Sequence, residues 1–192
     1  MGLIERAKNI CLTPKTEWPV IEAETTDAKT LYTTYIMVLA AIPAVASLLG
    51  LSMIGSLFGR IGIGFAVTAA VVGYVMSLIM VFVVAFIADA LAPSFDGRKN
   101  MPQALKLTAY SMTAAWLAGI FNIIPVLGGL ISLLGGLYSL YLFYLGASVM
   151  MKVPEQKSVG YTVVIVVVAI VAGIVISLVN GMMLGTGRMG PH

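Results

Sequence analysis

Residues 107–151 read LTAYSMTAAWLAGIFNIIPVLGGLISLLGGLYSLYLFYLGASVMM, a run of 45 residues without Asp, Glu, Lys or Arg. A helix needs roughly 20 apolar residues to cross about 30 Å of hydrocarbon, so this run is long enough for two crossings. Its middle contains residue types that break helices or permit a tight reversal: Asn122, Pro125, Gly128 and Gly129. The run therefore predicts two membrane-spanning helices joined near residue 125.

Three more charge-free runs, residues 30–59, 61–88 and 158–187, are each long enough for one crossing. Hydrophobic residues make up 60% of the chain and charged residues only 10%, against about 25% charged in soluble domains. This composition excludes an ordinary water-soluble domain. We expect an all-α, polytopic transmembrane helix bundle of five spans near 30–52, 64–89, 104–122, 128–151 and 158–184. An N-terminal segment (1–29) precedes this membrane domain (30–184), and a short tail (185–192) follows it.

The basic residues predict the orientation, because cytoplasmic loops retain Lys and Arg during insertion. The segment before the first span has four, the loop before the third span three and the loop before the fifth span two. The loops and tail on the other side have one, none and one. The N-terminus should be cytoplasmic and the C-terminus on the opposite side, in the inner membrane if the source is prokaryotic. The net charge of +3 fits such loops, and we expect no nucleic-acid partner.

The N-terminal segment has the pattern of short interfacial helices. Apolar residues recur at helical spacing at Leu3, Ile4, Ala7, Ile10 and Cys11. This pattern predicts a helix on the lipid headgroups, although a frayed tail is the alternative. A second helix should begin with Thr13 as N-cap and Pro14 as its first residue. Trp18 would then be an interfacial anchor.

Small residues spaced four apart predict where helices pack, because close backbone approach drives association in lipid. The positions are Ala69, Gly73 and Ser77 in span two, Gly128, Ser132 and Gly136 in span four, and Ala169, Gly173, Ser177 and Gly181 in span five. The alternative is that these residues reflect only the usual composition of membrane helices. Pro43 should kink span one.

Polar residues at membrane depth are the candidate functional positions. Asp89, at the cytoplasmic end of span two, either pairs with Lys106 or with Arg98 and Lys99, or is a hydrated helix end. The remaining group is Tyr110, Ser111, Asn122, Tyr138, Tyr141 and Asn180. Such side chains either bond neighbouring helices or line a path through the bundle.

The sequence lacks the usual signatures of an enzyme. The only histidine, His192, is the last residue printed, so no histidine-dependent triad or zinc-ligand pair is expected. No P-loop, HExxH, GxSxG or CxxC motif occurs. We therefore expect no catalytic residues, no metal and no cofactor.

Several segments in order resemble the Yip1 domain family in its prokaryotic form. They are LTPKTEWPVI at 12–21, DALAPSF at 89–95, LKLTAYSMTAAWLAGIF at 105–121, IP at 124–125, GLYSLY at 136–141 and MKVPEQK at 151–157. The resemblance covers about residues 10 to 175 and implies a five-span membrane protein with a cytoplasmic N-terminus. It includes the acid and the proline four residues later, here Asp89 and Pro93.

Eukaryotic members act in membrane traffic with prenylated Rab-type GTPases and have long N-terminal regions. This chain has only about 29 residues there, which argues against carrying the GTPase partner over. Many relatives have proline directly after the threonine that matches Thr113, whereas this chain has Ala114, so the resemblance gives no proline kink in span three.

These features favour a non-enzymatic membrane protein that organises the bilayer or binds membrane components. Its partners would be the lipid bilayer, including anionic lipids, and an unidentified membrane protein or a second copy of the chain. The alternative is a small transporter or pore, with Tyr110, Asn122, Tyr138, Tyr141 and Asn180 along a path between spans three, four and five. An accessory subunit of a larger complex is a third option.

Overall fold

A computed structural model describes residues 1–58 and 63–185, apart from the side chains of 53–58, 125–126, 172 and 175–185. Within this part the secondary structure is helical, with no strand. The α-helices are α1 (Leu3–Leu12), α2 (Pro14–Ala23), α3 (Ala28–Leu31), α4 (Met37–Phe58), α5 (Ile63–Leu91), α6 (Met101–Ser111), α7 (Thr113–Ala118), α8 (Pro125–Met150) and α9 (Glu155–Gly185). A π-turn (Tyr32–Ile36) precedes α4, and 3₁₀ turns (Ala92–Phe95 and Gly119–Ile123) follow α5 and α7.

The loops after α5 and after α8 meet at one end of the bundle. The Arg98 backbone N–H donates to the Met151 carbonyl over 2.8 Å, and Asp96 pairs with Lys157. Lys152 also pairs with Glu22 on α2 over 2.9 Å. We call this end, formed by α1, α2 and the loops 96–100 and 151–154, the charged end. Here α5 and α8 end and α6 and α9 begin, so successive long helices run in alternate directions.

The expected all-helical membrane architecture is confirmed at the level of its apolar helices. Among the described residues, three stretches have the length and hydropathy of a membrane crossing: Ala28–Ser52, Ile63–Phe95 and Leu127–Met150. They coincide with predicted spans one, two and four. Large apolar side chains such as Phe65, Leu134 and Val163 are exposed along the long helices, as contact with lipid chains requires. Pro43 lies within α4 without ending it.

Predicted span three is not one continuous helix. Its α-helical part is interrupted at Met112 and closes with the 3₁₀ turn Gly119–Ile123. In an unbroken helix the Ala115 N–H would donate to the Ser111 carbonyl, but here it donates to the Ser139 hydroxyl of α8 over 3.0 Å. A side chain that enters the backbone ladder in this way interrupts a helix without proline.

The two N-terminal helices exist as expected, and α2 starts at Pro14 after Thr13. The Thr13 side chain, however, donates to the Asn9 carbonyl at the end of α1 and does not cap α2. The side chain of Trp18, the predicted interfacial anchor, is fully buried in the core. Ala7 and Ile10 are buried as well, whereas Ile4 is 81% exposed. The buried face of α1 therefore packs on protein.

At Gly128 and Ser132, two of the positions predicted for helix packing in span four, α8 lies against the turn Gly119–Ile123. A Cβ added at Gly128 would collide with the backbone of Phe121 and Asn122, and Ser132 donates to Asn122 Oδ1 over 3.0 Å. A Cβ at Gly136 would meet nothing within 4 Å, whereas one at Gly135 would strike Ala118.

The contacting face of α8 advances alternately by four and three residues: 128, 132, 135, 139, 142 and 146. A strict four-residue stripe drifts off this face because the helix has 3.6 residues per turn. A Cβ added at Gly73 or Gly173 would meet no described atom within 4 Å, and Gly73 lines a pocket together with Pro43 and Ala44 of α4. The side chain of Ser177 and any contact of Gly181 lie outside the described residues, as does the tail from residue 186 onward.

Candidate functional site

A buried ion-pair cluster ties α1 to α2 at the charged end. Arg6 on α1 is only 5% exposed and pairs with Glu17 of α2 and with Glu24 just after α2. Burial lowers the pKa of Arg6, but its bonds and charge interactions with Glu24 and Glu17 outweigh this and leave the pKa above its ordinary value. The guanidinium therefore stays charged, as the buried Glu17 beside it requires.

Aromatic contacts extend this cluster into the bundle. The Arg6 guanidinium carbon lies 5.7 Å from the ring centroid of Tyr110 on α6. Tyr110 meets Tyr35 edge to face, with 4.6 Å between centroids, and the Tyr35 hydroxyl lies 2.7 Å from the Thr113 hydroxyl. One continuous path of contacts thus joins α1, α6, α7 and the π-turn that begins the first span.

A second connection runs from α6 to the C-terminal end of α2. Lys106 Nζ donates to the backbone carbonyls of Ile21 and Glu24, each over 2.7 Å. Gln103 Nε2 donates to the Glu22 carbonyl over 3.0 Å. The last carbonyls of a helix have no partner within the helix and carry partial negative charge, so an ammonium group stabilises them. Lys106 and Arg6 together clamp α2 across the end of the bundle.

The predicted partners of Asp89 are wrong, since none of the ion pairs among the described residues includes it. Lys106 bonds α2 instead, because the α2 carbonyls lie within its reach. Asp89 is half-buried, and its Oδ1 is buried without a hydrogen-bond donor in the described part of the chain.

Pro93, the other half of the family's acid–proline pair, starts a tight turn near Asp89. It stands in the 3₁₀ turn Ala92–Phe95, which ends at Asp96 with φ of 60°. The Gly97 backbone N–H then donates to the Ala92 carbonyl over 2.8 Å. Next to this turn, the Tyr161 hydroxyl of α9 donates to the Ala88 carbonyl over 2.6 Å. Pro93 thus helps to direct the chain from α5 into the loop that meets α9.

The polar residues of the predicted path do not converge. Asn122 bonds Ser132 at the end opposite to the charged end. The Tyr138 hydroxyl donates to the Cys11 carbonyl of α1 over 2.7 Å, and the Tyr141 ring lies 5.7 Å from that of Tyr138. These contacts join neighbouring elements, as expected if such polar side chains bond helices to one another and do not line a path through the bundle. The side chain of Asn180 lies outside the described residues.

Two cavities are associated with the remaining predicted residues. A pocket of about 570 Å³ beside the Arg6 cluster is lined by Arg6, Glu24, Thr30, Thr34, Tyr35 and Tyr110, among others. An apolar cavity of about 280 Å³ lies between α5, α6, α8 and α9, and Ser111 lines it with a buried hydroxyl that has no partner among the described residues. The first cavity is suited to polar groups and the second to hydrocarbon.

Sequence reasoning missed Arg6, Glu17, Glu24 and Gly146. One signal was available for Arg6, because it occupies the same face of α1 as Leu3, Ala7 and Ile10. A charge on an apolar face calls for a buried partner. In the described part of the chain, no group of three or more His, Cys, Asp or Glu side chains is arranged to hold a metal ion.

Long apolar helices that expose hydrocarbon side chains, joined to a charged end, define an integral membrane protein of the helical class. Comparison with known proteins identifies the family within this class. Residues 8–177 match the Yip1 domain, and the chain belongs to the Yip1 domain family.

Curated relatives support a membrane location. Inner membrane protein YohC of Escherichia coli K12 is 24% identical over 156 residues, which is 78% of this chain and 80% of that protein. YohC of Escherichia coli O6:H1 matches equally. No solved structure matches the chain.

Proposed function

We propose that this chain is a five-span membrane protein whose charged end faces the cytoplasm, and that it acts without catalysis by binding lipids and a membrane partner. The clamp of Arg6 and Lys106 on the N-terminal helices is the observation that carries this proposal. It holds α1 and α2 across the end of the bundle. That end is therefore a surface of fixed shape.

The topology is supported by the alternating helix directions. The segments α6, α7 and the following 3₁₀ turn run from Met101 to Ile123, and α9 has 31 residues, so each is long enough for a crossing. Nine of the 11 basic residues belong to the segments that meet at the charged end. The excess of Lys and Arg in cytoplasmic loops favours this end as the cytoplasmic one.

Cysteine labelling tests the topology. The native thiol is removed by Cys11→Ser, and Lys99→Cys or His192→Cys then reports one position each. A membrane-impermeant maleimide should label His192→Cys in intact cells and Lys99→Cys only after permeabilisation. Labelling of both positions from the same side would overturn the five-span arrangement.

The binding role is supported by the exposed basic side chains that the clamp leaves at the surface, such as Lys15 and Lys99. Basic residues near a membrane surface attract anionic headgroups by about 1 kcal/mol each. The absence of a shared path for Tyr110, Asn122 and Tyr138 supports binding over transport. No described observation favours the pore as a second function.

Two measurements decide between binding and transport. Reconstituted vesicles should show no ion or solute flux above protein-free vesicles. Gentle solubilisation of native membranes with an N-terminal tag should recover a stoichiometric partner, lost with Arg6→Met and retained with Lys8→Met. Flux that disappears with Tyr141→Phe or Asn122→Leu would replace this proposal with the transporter.

A further inference from the structure

A separate pocket of about 380 Å³ lies between α2, the last turns of α8 and the first turn of α9. It is lined by Lys15, Trp18, Tyr144, Leu145, Ser148, Val149, Glu155 and Ser158. None of these residues lines the pocket beside the Arg6 cluster. Leu145 and Val149 belong to a membrane-crossing stretch, whereas Lys15 belongs to the charged end and Glu155 begins α9 next to it. The pocket therefore lies where lipid headgroups meet the hydrocarbon.

Trp18 supplies a buried donor that nothing in the described protein satisfies. Its side chain is fully buried, and a Cβ on Gly146 would lie only 2.7 Å from the indole Cε2 and Cζ2. This close packing fixes the ring. The indole N–H is buried and has no acceptor among the described residues. Buried donors in native proteins are normally bonded, so a ligand oxygen in the pocket would meet an unfilled requirement.

The pocket also holds one charge of each sign. Lys15 and Glu155 are both exposed, and neither takes part in an ion pair among the described residues. An anion alone would be attracted by Lys15 and repelled by Glu155. A ligand with a phosphate and an ammonium group would instead be attracted by both. The hydroxyls of Ser148 and Tyr144 add acceptors for an ammonium group.

We propose that this pocket binds the headgroup of a phospholipid that carries both a phosphate and a primary ammonium group. The phosphate accepts from the Trp18 indole and from Lys15, the ammonium pairs with Glu155, and an acyl chain lies along Leu145 and Val149. This inference deepens the proposed lipid binding by naming the lipid class. It does not depend on which side of the membrane the charged end faces.

Lipid titration of the delipidated full-length protein in detergent tests this. Phosphatidylethanolamine, phosphatidylglycerol and phosphatidylcholine with identical acyl chains are compared by native mass spectrometry and by the shift in melting temperature. The wild type should prefer phosphatidylethanolamine. Trp18→Phe and Lys15→Gln should each weaken its binding about tenfold, as expected for the loss of one bond to a charged group. Trp18→Phe removes the donor together with part of the ring that lies against Gly146, so the melting temperature of the lipid-free variant is the control for lost packing.

Glu155→Gln is the most specific variant, because it should weaken phosphatidylethanolamine binding and leave phosphatidylglycerol binding unchanged or stronger. Lys8→Gln and Glu5→Gln remove the same charges from exposed positions on α1 and should have no effect. Equal binding of the three lipids, or equal effects of the pocket and control variants, would overturn the proposal.

Glycerophosphoethanolamine distinguishes the lipid from a soluble headgroup. If it binds as tightly as the lipid, the acyl chain contributes nothing and the lipid assignment is wrong. The lipid titration and the tests of the proposed function can also fail independently of each other. Solute flux or failure to capture a partner would remove the proposed function without changing this titration, and failure of the titration would leave partner capture untouched.

Discussion

The two ends of the bundle are held together by different forces. At the charged end, ion pairs and hydrogen bonds from Arg6 and Lys106 fasten α2. At the opposite end, glycines bring backbones into contact. A Cβ added at Gly50 or at Gly128 would collide with the backbone of the turn Gly119–Ile123. Apolar helices in lipid are not driven together by the hydrophobic effect, so close packing of their backbones stabilises the bundle where water is absent. At the charged end, hydrogen bonds and ion pairs stabilise it instead.

The largest effect should come from breaking the ion pair at the charged end. Arg6→Met leaves the Glu17 carboxylate buried and unpaired, which costs about 3–5 kcal/mol. Denaturation in mixed micelles, followed by circular dichroism, measures the loss. The double variant Arg6→Met/Glu17→Met should recover most of it, since it removes both buried charges. Equal stability of the single variant and of Lys8→Met would show that the pair is not buried in solution.

Removing the second polar connection should cost less. Lys106→Met deprives two carbonyls at the end of α2 of a charged donor. A bond from a charged group contributes about 1.5–3 kcal/mol, and because one ammonium that is itself costly to bury serves both carbonyls, the loss should stay near that of a single bond. Hydrogen exchange in α2 should accelerate while exchange in α8 is unchanged. Combining it with Asp89→Asn should give additive losses, because the two side chains share no partner. A coupling well above about 0.5 kcal/mol would restore the Asp89–Lys106 pair.

At the opposite end, two neighbouring glycines should behave differently. Gly128→Ala forces a methyl group against the backbone of Phe121 and Asn122, with a cost of about 1–3 kcal/mol. Gly129→Ala meets no atom of the described residues within 4 Å and gains helix propensity worth up to about 1 kcal/mol. Unfolding in mixed micelles compares them. Identical behaviour of the two variants would mean that backbone contact does not hold this end.

The smallest contrast concerns two serines near the break at Met112. Ser139→Ala removes the acceptor of the Ala115 N–H and should cost about 1 kcal/mol. Ser111→Ala removes a buried hydroxyl without a partner and should be neutral or slightly stabilising. The melting temperatures of the purified variants test this order, and a larger loss for Ser111→Ala would indicate that its hydroxyl is bonded in the membrane.

The sequence predicted the features that depend on local pattern. Charge-free runs located the apolar helices, and the pair Thr13–Pro14 located the start of α2. Contacts between distant residues were beyond it. Lys106 bonds the Glu24 carbonyl, which is 82 residues away in the sequence. Without the fold, the sequence offers many possible partners for each basic residue. The break at Met112 was missed for the same reason, because its cause is a hydroxyl on another helix.

The location of Trp18 shows the same limit at a single residue. Tryptophan near a span is typical of the membrane interface, and the pattern contains nothing against that role. The side chain is buried because Gly146, on a helix more than 100 residues later, leaves room for the ring. Local composition predicts a level for this residue near the membrane surface. Only the packing of α2 on α8 decided whether it faces lipid or protein.

The N-terminal helices are synthesised first but obtain their partners last. Tyr138 bonds the Cys11 carbonyl across 127 positions of sequence, and Gly146 and Lys152 follow later still. Domains emerge from the ribosome N-terminus first. Until α8 has been inserted, Trp18 therefore lacks the helix that covers its ring, and the Cys11 carbonyl lacks its donor. Docking of this segment would then report that the insertion of α8 is complete.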